Sequence, residues 1–123
     1  MAIRCLIVDD SQAFLEAARG LLEREGLSVV GVALTGTDAL GQVEALRPDI
    51  VLVDVFLGEE SGLDLVRRLV DDDGSQPPTV ILISTHSEAD LADLIALSPA
   101  AGFLTKAALS ATAIRRIADG ATA

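Results

Sequence analysis

The sequence predicts a doubly wound α/β domain with five parallel strands in the order 2-1-3-4-5 and helices on both faces. Three observations predict it. Short apolar runs alternate with segments whose apolar residues recur at helical spacing. The alternation continues without internal repeats or linkers through 123 residues, a length that suits one domain. Four of the runs also end abruptly in a polar group: residues 3–8 lead to Asp9 and Asp10, 50–53 to Asp54, 80–83 to Ser84, and 102–105 to Lys106. Ligands of open doubly wound sheets sit outside the carboxyl ends of the strands, where strand order reverses. In this order that crevice lies between the first and third strands, which end in Asp9-Asp10 and Asp54.

Each element has its own signal. Residues 3–8 are apolar apart from Arg4, right for a buried strand. Phe14, Ala18, Leu21, Leu22 and Glu25 follow helical spacing, and Gly26 stops that helix. Residues 27–33, rich in Val, form the second strand. Thr35 or Thr37 caps a second helix that turns Ala39, Leu40, Val43 and Leu46 inward and ends at Pro48. Residues 50–54 are the clearest strand, β-branched and acidic at the end. Gly58 and Gly62 mark a flexible turn before a third helix over 63–70, with Leu65, Val66, Leu69 and Val70 facing the core. Residues 71–78 read as a polar, proline-stiffened loop. A fourth strand over 79–83 and a fourth helix over 88–97 follow, the helix with acidic residues in its first turn. A fifth strand over 102–105 and a fifth helix over 108–117 complete the domain.

Composition excludes several classes. Half the residues are hydrophobic, so a core can form, but only 2% are aromatic, so aliphatic side chains must fill it. A net charge of −10 repels nucleic-acid phosphates, and this domain alone is expected not to bind DNA. No apolar run approaches the roughly 20 residues of a membrane span, and the start of the chain does not read as a signal peptide. A cytoplasmic protein with no membrane contact is the expectation. The single cysteine, Cys5, lies in an apolar strand and reads as a small core residue.

If the strand ends converge, three carboxylates, a hydroxyl and an ammonium share one pocket. Carboxylates so close raise one another's pKa and stay ionised together only with a cation among them. Hard oxygen ligands in a small site favour Mg²⁺, with Mn²⁺ an acceptable substitute. An ionised aspartate is also a nucleophile toward phosphorus. Lys106 and the Ser84 hydroxyl could then neutralise the phosphoryl oxygens.

The run of motifs Val8-Asp9-Asp10, Leu52-Val53-Asp54, Gly62, Ile83-Ser84 and Gly102-Phe103-Leu104-Thr105-Lys106 resembles the receiver domain of two-component response regulators, over essentially the whole chain. The resemblance implies a flavodoxin-like (βα)5 fold. It implies that Asp54 is the phosphoacceptor for a sensor histidine kinase and that Ser84 and Lys106 grip the phosphoryl group. Asp10, Asp54 and the backbone carbonyl of Phe56 would hold Mg²⁺ directly, and Asp9 mostly through a water. It further implies a switch, in which Ser84 moves toward phosphate and Phe103 turns inward. The responding surface would be the fourth helix, fifth strand and fifth helix. A homodimer would use that surface or the first and fifth helices. Residues 1–123 would form one receiver, standing alone or opening a longer regulator, with transcription controlled through an attached or partner output domain. It would be no enzyme beyond catalysing its own phosphorylation and dephosphorylation.

Ala107 follows the active-site lysine where many receivers have proline, so a trans Lys106–Ala107 bond is expected. The Lys-Ala form is similar to receivers of helix-turn-helix, nitrate-response-type regulators. Gly58-Glu59-Glu60-Ser61 replaces a more usual apolar loop and is expected to be mobile. Phe56 and His86, two residues beyond Asp54 and Ser84, flank the path of attacking water and are read as modulators of hydrolysis. Two rival readings are a receiver-like module that only binds proteins, and an aspartyl-phosphate phosphatase of the haloacid dehalogenase type. The phosphatase wants a second Asp where this chain has Phe56. A nucleotide-binding domain is disfavoured because the first βα turn lacks a glycine fingerprint.

Overall fold

The computed structural model describes residues 3–71 and 77–122. Its main sheet contains β1 (Arg4–Val8), β2 (Ser28–Ala33), β3 (Ile50–Asp54), and two later strands, β6 (Thr79–Ser84) and β7 (Gly102–Thr105). All neighbours pair in parallel, in the order β2-β1-β3-β6-β7, the order expected for five strands. A second, two-stranded sheet joins β4 (Phe56–Leu57) to β5 (Glu60–Ser61) as an antiparallel hairpin. The helices are α1 (Gln12–Arg24), α2 (Gly36–Leu46), α3 (Gly62–Val70), α4 (Ala92–Ala96) and α5 (Ala111–Thr122).

Alternation along the strands divides the core in two. Leu6, Val8, Val51, Val53, Val80 and Leu82 point to one face, where Ala39 of α2 and Leu65, Val66 and Leu69 of α3 cover them. Cys5, Ile7, Ile50, Leu52, Ile81 and Ile83 point to the other, beneath Leu15, Ala18 and Leu22 of α1 and Ala111 and Ile114 of α5. Each fully buried Leu or Ile contributes about 1.5–3 kcal/mol, so the sheet is held mainly by its two aliphatic layers, with Phe103 in the first and Phe14 at the flank of the second. Burial pushes the Cys5 thiol up to about 11, an inert core group as expected.

Several boundaries differ from the expectation. The inward stripe of α1 is Leu15, Ala18 and Leu22, with Phe14 at its flank. Thr35, not Thr37, caps α2 by accepting from the Asp38 N–H. Arg47 ends α2 as a left-handed C-cap with a φ of 50°, just before Pro48, which disfavours a right-handed helical predecessor. The fourth helix is shorter than 88–97: Glu88–Leu91 forms turns, and only Ala92–Ala96 is helical. Lys106–Ala108 is a 3₁₀ turn, so α5 begins three residues later than 108. The Lys106–Ala107 bond is trans. Residues 72–76 of the loop read from the sequence lie outside the described residues.

Candidate functional site

The carboxyl ends of β1, β3, β6 and β7 meet because their registers align: Val8 faces Val53, Asp54 faces Ile83, and Ser84 faces Thr105. The apolar residues before each polar group anchor the strand, and the polar group then emerges at the edge. Asp9, Asp10 and Asp54 each offer an oxygen within 4.8 Å of the others. Asp9 and Asp54 are buried, and Asp10 is exposed. The Lys106 ammonium lies 2.6 Å from Asp9 Oδ2 and 3.2 Å from Asp54 Oδ2. The structure thus brings four of the expected residues into one cluster.

Burial of Asp54, reinforced by the negative Asp9, raises its carboxyl above the usual carboxylate range, although the Phe56 N–H and Lys106 oppose this. Burial alone would lower Lys106. Its contacts with Asp9 and Asp54 outweigh that and hold the ammonium above its ordinary value. Asp54 Oδ1 accepts from the Phe56 N–H at 3.1 Å, and Asp9 Oδ1 from the Ser11 N–H at 2.9 Å. Asp9 Oδ2 is fully buried, with the Lys106 ammonium as its charged partner. Three carboxylates that each bring an oxygen within 4.8 Å of the others form a donor set that suits a hard divalent cation.

Ser84 and Phe103 stand apart from this cluster. The Ser84 hydroxyl accepts from the His86 N–H at 3.1 Å and lies 3.3 Å from His86 Nδ1. Phe103 is inward, 8% exposed, in the buried cluster that also contains Leu91. Phe56 and His86 do meet: their rings are 5.2 Å apart and tilted by 59°, with Phe56 47% exposed. Sequence reasoning missed Phe14, whose ring centroid lies 4.3 Å from the Lys106 ammonium. Its place at the start of the helix after Asp9-Asp10 was the available signal.

The segment expected to be a mobile loop is a tight hairpin. Gly58 opens its two-residue turn with a φ of +59°, the pattern of a II′ hairpin. It lies against Asp10, whose Oδ2 would be 3.3 Å from a Cβ at that position. Gly62 is required for a different reason: a Cβ there would overlap the Asp54 carbonyl oxygen.

Comparison with known proteins agrees with this geometry. The family model described as the response regulator receiver domain matches residues 5–118. Response regulator GacA of Pseudomonas aeruginosa is 37% identical over 108 residues, covering 86% of this chain and 49% of that protein. Protein-glutamate methylesterase/protein-glutamine glutaminase 5 of Myxococcus xanthus is 40% identical over 91 residues, 73% of this chain and 26% of that protein. The chain thus spans about half or less of the length of these relatives. Among solved structures, a LuxR-family two-component response regulator from Aurantimonas sp. SI85-9A1 superposes with a TM-score of 0.84 at 28% identity, covering 98% of this chain and 87% of that one.

Proposed function

The chain belongs to the response regulator receiver family, and we propose that its Asp54 accepts a phosphoryl group from a sensor histidine kinase in a Mg²⁺-dependent reaction. The observation that carries this reading is the Asp54 carboxylate, buried at the end of a central strand within reach of two further carboxylates and of an ammonium 3.2 Å away. One Asp54 oxygen forms a bond to phosphorus as the bond from phosphorus to the donor imidazole nitrogen breaks. The products are an acyl phosphate and a histidine that takes up a proton. Bound Mg²⁺ supplies positive charge to the phosphoryl oxygens, and Asp9, Asp10, Asp54 and the Phe56 carbonyl are the groups that would hold it. Lys106 exchanges its contact with Asp9 for a phosphoryl oxygen. Ser84 gives up His86 to donate to another.

In this reading, movement of Ser84 alters the packing around Phe103. Leu91, at the entry to α4, shares the cluster that holds Phe103, so the rearrangement reaches the surface of α4, β7 and α5. That surface, or one formed by α1 and α5, would serve a homodimer or an output domain that controls transcription. The domain itself would not bind DNA, and it would catalyse only its own phosphorylation and dephosphorylation. Among the described residues, no helix is long and apolar enough to cross a membrane; a cytoplasmic site is the reading that membership of the receiver family supports.

The test is incubation with Mg²⁺ and acetyl phosphate, followed by intact mass. Wild type should gain one phosphoryl group and Asp54→Asn none. An unmodified wild type, or an equally modified variant, would reject the proposal. The Phe56 ring, packed on His86, shields Asp54 from attacking water. Phe56→Asn should shorten the lifetime of the phosphorylated form severalfold, read by the decay of the mass adduct.

A further inference from the structure

We propose that Glu60 is a positioning residue for the phosphoacceptor pocket: its carboxylate clamps the β4–β5 hairpin to the first turn of α2, and so holds Phe56 and Gly58 beside Asp54 and Asp10. The inference rests on the receiver reading and adds a residue that touches none of the reacting groups.

Both carboxylate oxygens of Glu60 lie 3.2 Å from the Gly36 N–H, the first amide of α2. Amides in the first turn of a helix have no intrahelical acceptor, and the helix dipole favours negative charge there. Thr35 already serves the Asp38 N–H at 3.1 Å, so Glu60 takes a donor that the cap leaves open. A second observation comes from Gly36 itself, which is buried. A Cβ at that position would lie 2.9 Å from Glu60 Oε1 and 3.7 Å from Leu65 Cδ1. The absence of a side chain at 36 is what lets the carboxylate reach the backbone.

The hairpin needs such a fastener. It has only two residue pairs, Phe56 with Ser61 and Leu57 with Glu60. An isolated two-stranded hairpin is at best marginally stable in water. One end is held by the Phe56 N–H on Asp54 Oδ1, and the chain beyond it by Gly62 pressed on the Asp54 carbonyl. Glu60 holds the side facing α2. Because Glu60 pairs with Leu57, the residue between Phe56 and Gly58, a shift at the clamp passes directly to both. The Phe56 carbonyl, assigned above to the cation, and the Gly58 contact with Asp10 move with it.

The variants are Glu60→Ala, Glu60→Gln and Gly36→Ala in the intact chain. The measurements are Mg²⁺ binding by calorimetry, amide hydrogen exchange at Phe56 and Gly36, and the melting temperature. Glu60→Ala and Gly36→Ala should each weaken Mg²⁺ binding about fivefold, the usual worth of one charged hydrogen bond at a helix terminus, and speed exchange at Phe56. Glu60→Gln keeps an acceptor and should fall between them and wild type. Gly36→Ala separates positioning from bulk stability: alanine is the better helix former, so the melting temperature should hold or rise while Mg²⁺ affinity falls. Wild-type Mg²⁺ affinity and wild-type Phe56 exchange in both Glu60→Ala and Gly36→Ala would overturn the clamp. If wild type neither binds Mg²⁺ nor gains phosphate from acetyl phosphate, the receiver reading fails, and the exchange rates at Phe56 and Gly36 alone decide whether the clamp exists.

Discussion

Helices α3 and α4 border the same buried cluster, yet they are held in opposite ways. α3 spans nine residues and buries Gly62, Leu65, Val66 and Leu69, and the Ser61 hydroxyl caps it at the Asp64 N–H. Its first residue presses on the carbonyl of Asp54. α4 has five residues and buries none of them. Its entry residue, Leu91, has no side-chain acceptor with which to cap it and packs into the core instead, and Leu94 and Leu97 face solvent. Local stability follows buried apolar contact, so the element beside Asp54 is held more firmly than the element beyond Ser84. The proposed function, phosphorylation beside α3 and a response at α4, calls for that inequality.

The comparison can be broken most severely at Leu65. Leu65→Ala should cost roughly 2–5 kcal/mol in urea unfolding, since it opens a cavity beneath α3. A loss no greater than that of a surface substitution would mean that α3 is not the rigid partner.

Asp54→Asn should act in the opposite direction, stabilising the domain by about 1 kcal/mol at neutral pH, the usual return from relieving strain at a functional site. The sign follows from the raised carboxyl of Asp54. Its stabilising contribution is present below the ordinary value of 3.8 and is lost as pH rises through the raised value, so the ionised group is a burden at pH 7. The gain of the variant should therefore shrink toward pH 4. Saturating Mg²⁺ should stabilise wild type more than the variant, closing the gap. Lys106 is raised too, so its contribution is complete at neutral pH and fades only as pH climbs past 10.5 through the raised value. Thermal melts of both proteins across pH check each sign, and a variant that is less stable at pH 7 would refute the account of Asp54.

The smallest effect belongs to Leu97, 73% exposed just past the end of α4. Leu97→Ser should change stability by no more than about 0.5 kcal/mol. A larger loss would show that α4 is packed more firmly than its exposure indicates.

Much of this site was legible before any coordinates. Asp9, Asp54, Ser84 and Lys106 announce themselves because each interrupts an apolar run where a buried strand must end, and parallel strands carry their ends to one edge. The length of α4 was not legible. Glu88 and Asp90 look like a helical first turn, but Leu91 is drawn into the core and the helix starts after it. Glu60 was equally hidden. An acidic residue between glycines reads as a solvated loop, and its partner, Gly36, lies 24 residues away with nothing in its own vicinity to predict the contact.

The sequence by itself determined the five-strand architecture, the two aliphatic layers and the identity of the chemical groups, since these follow from periodicity and from which side chains can leave water. Tertiary structure alone decided where those groups point. It turned the Lys106 ammonium to Asp9 and Asp54, the Ser84 hydroxyl to His86, and the Glu60 carboxylate to the start of α2. Such choices depend on distances between residues far apart in the chain and on which donors secondary structure leaves unserved, and both quantities exist only once the sheet and helices have packed.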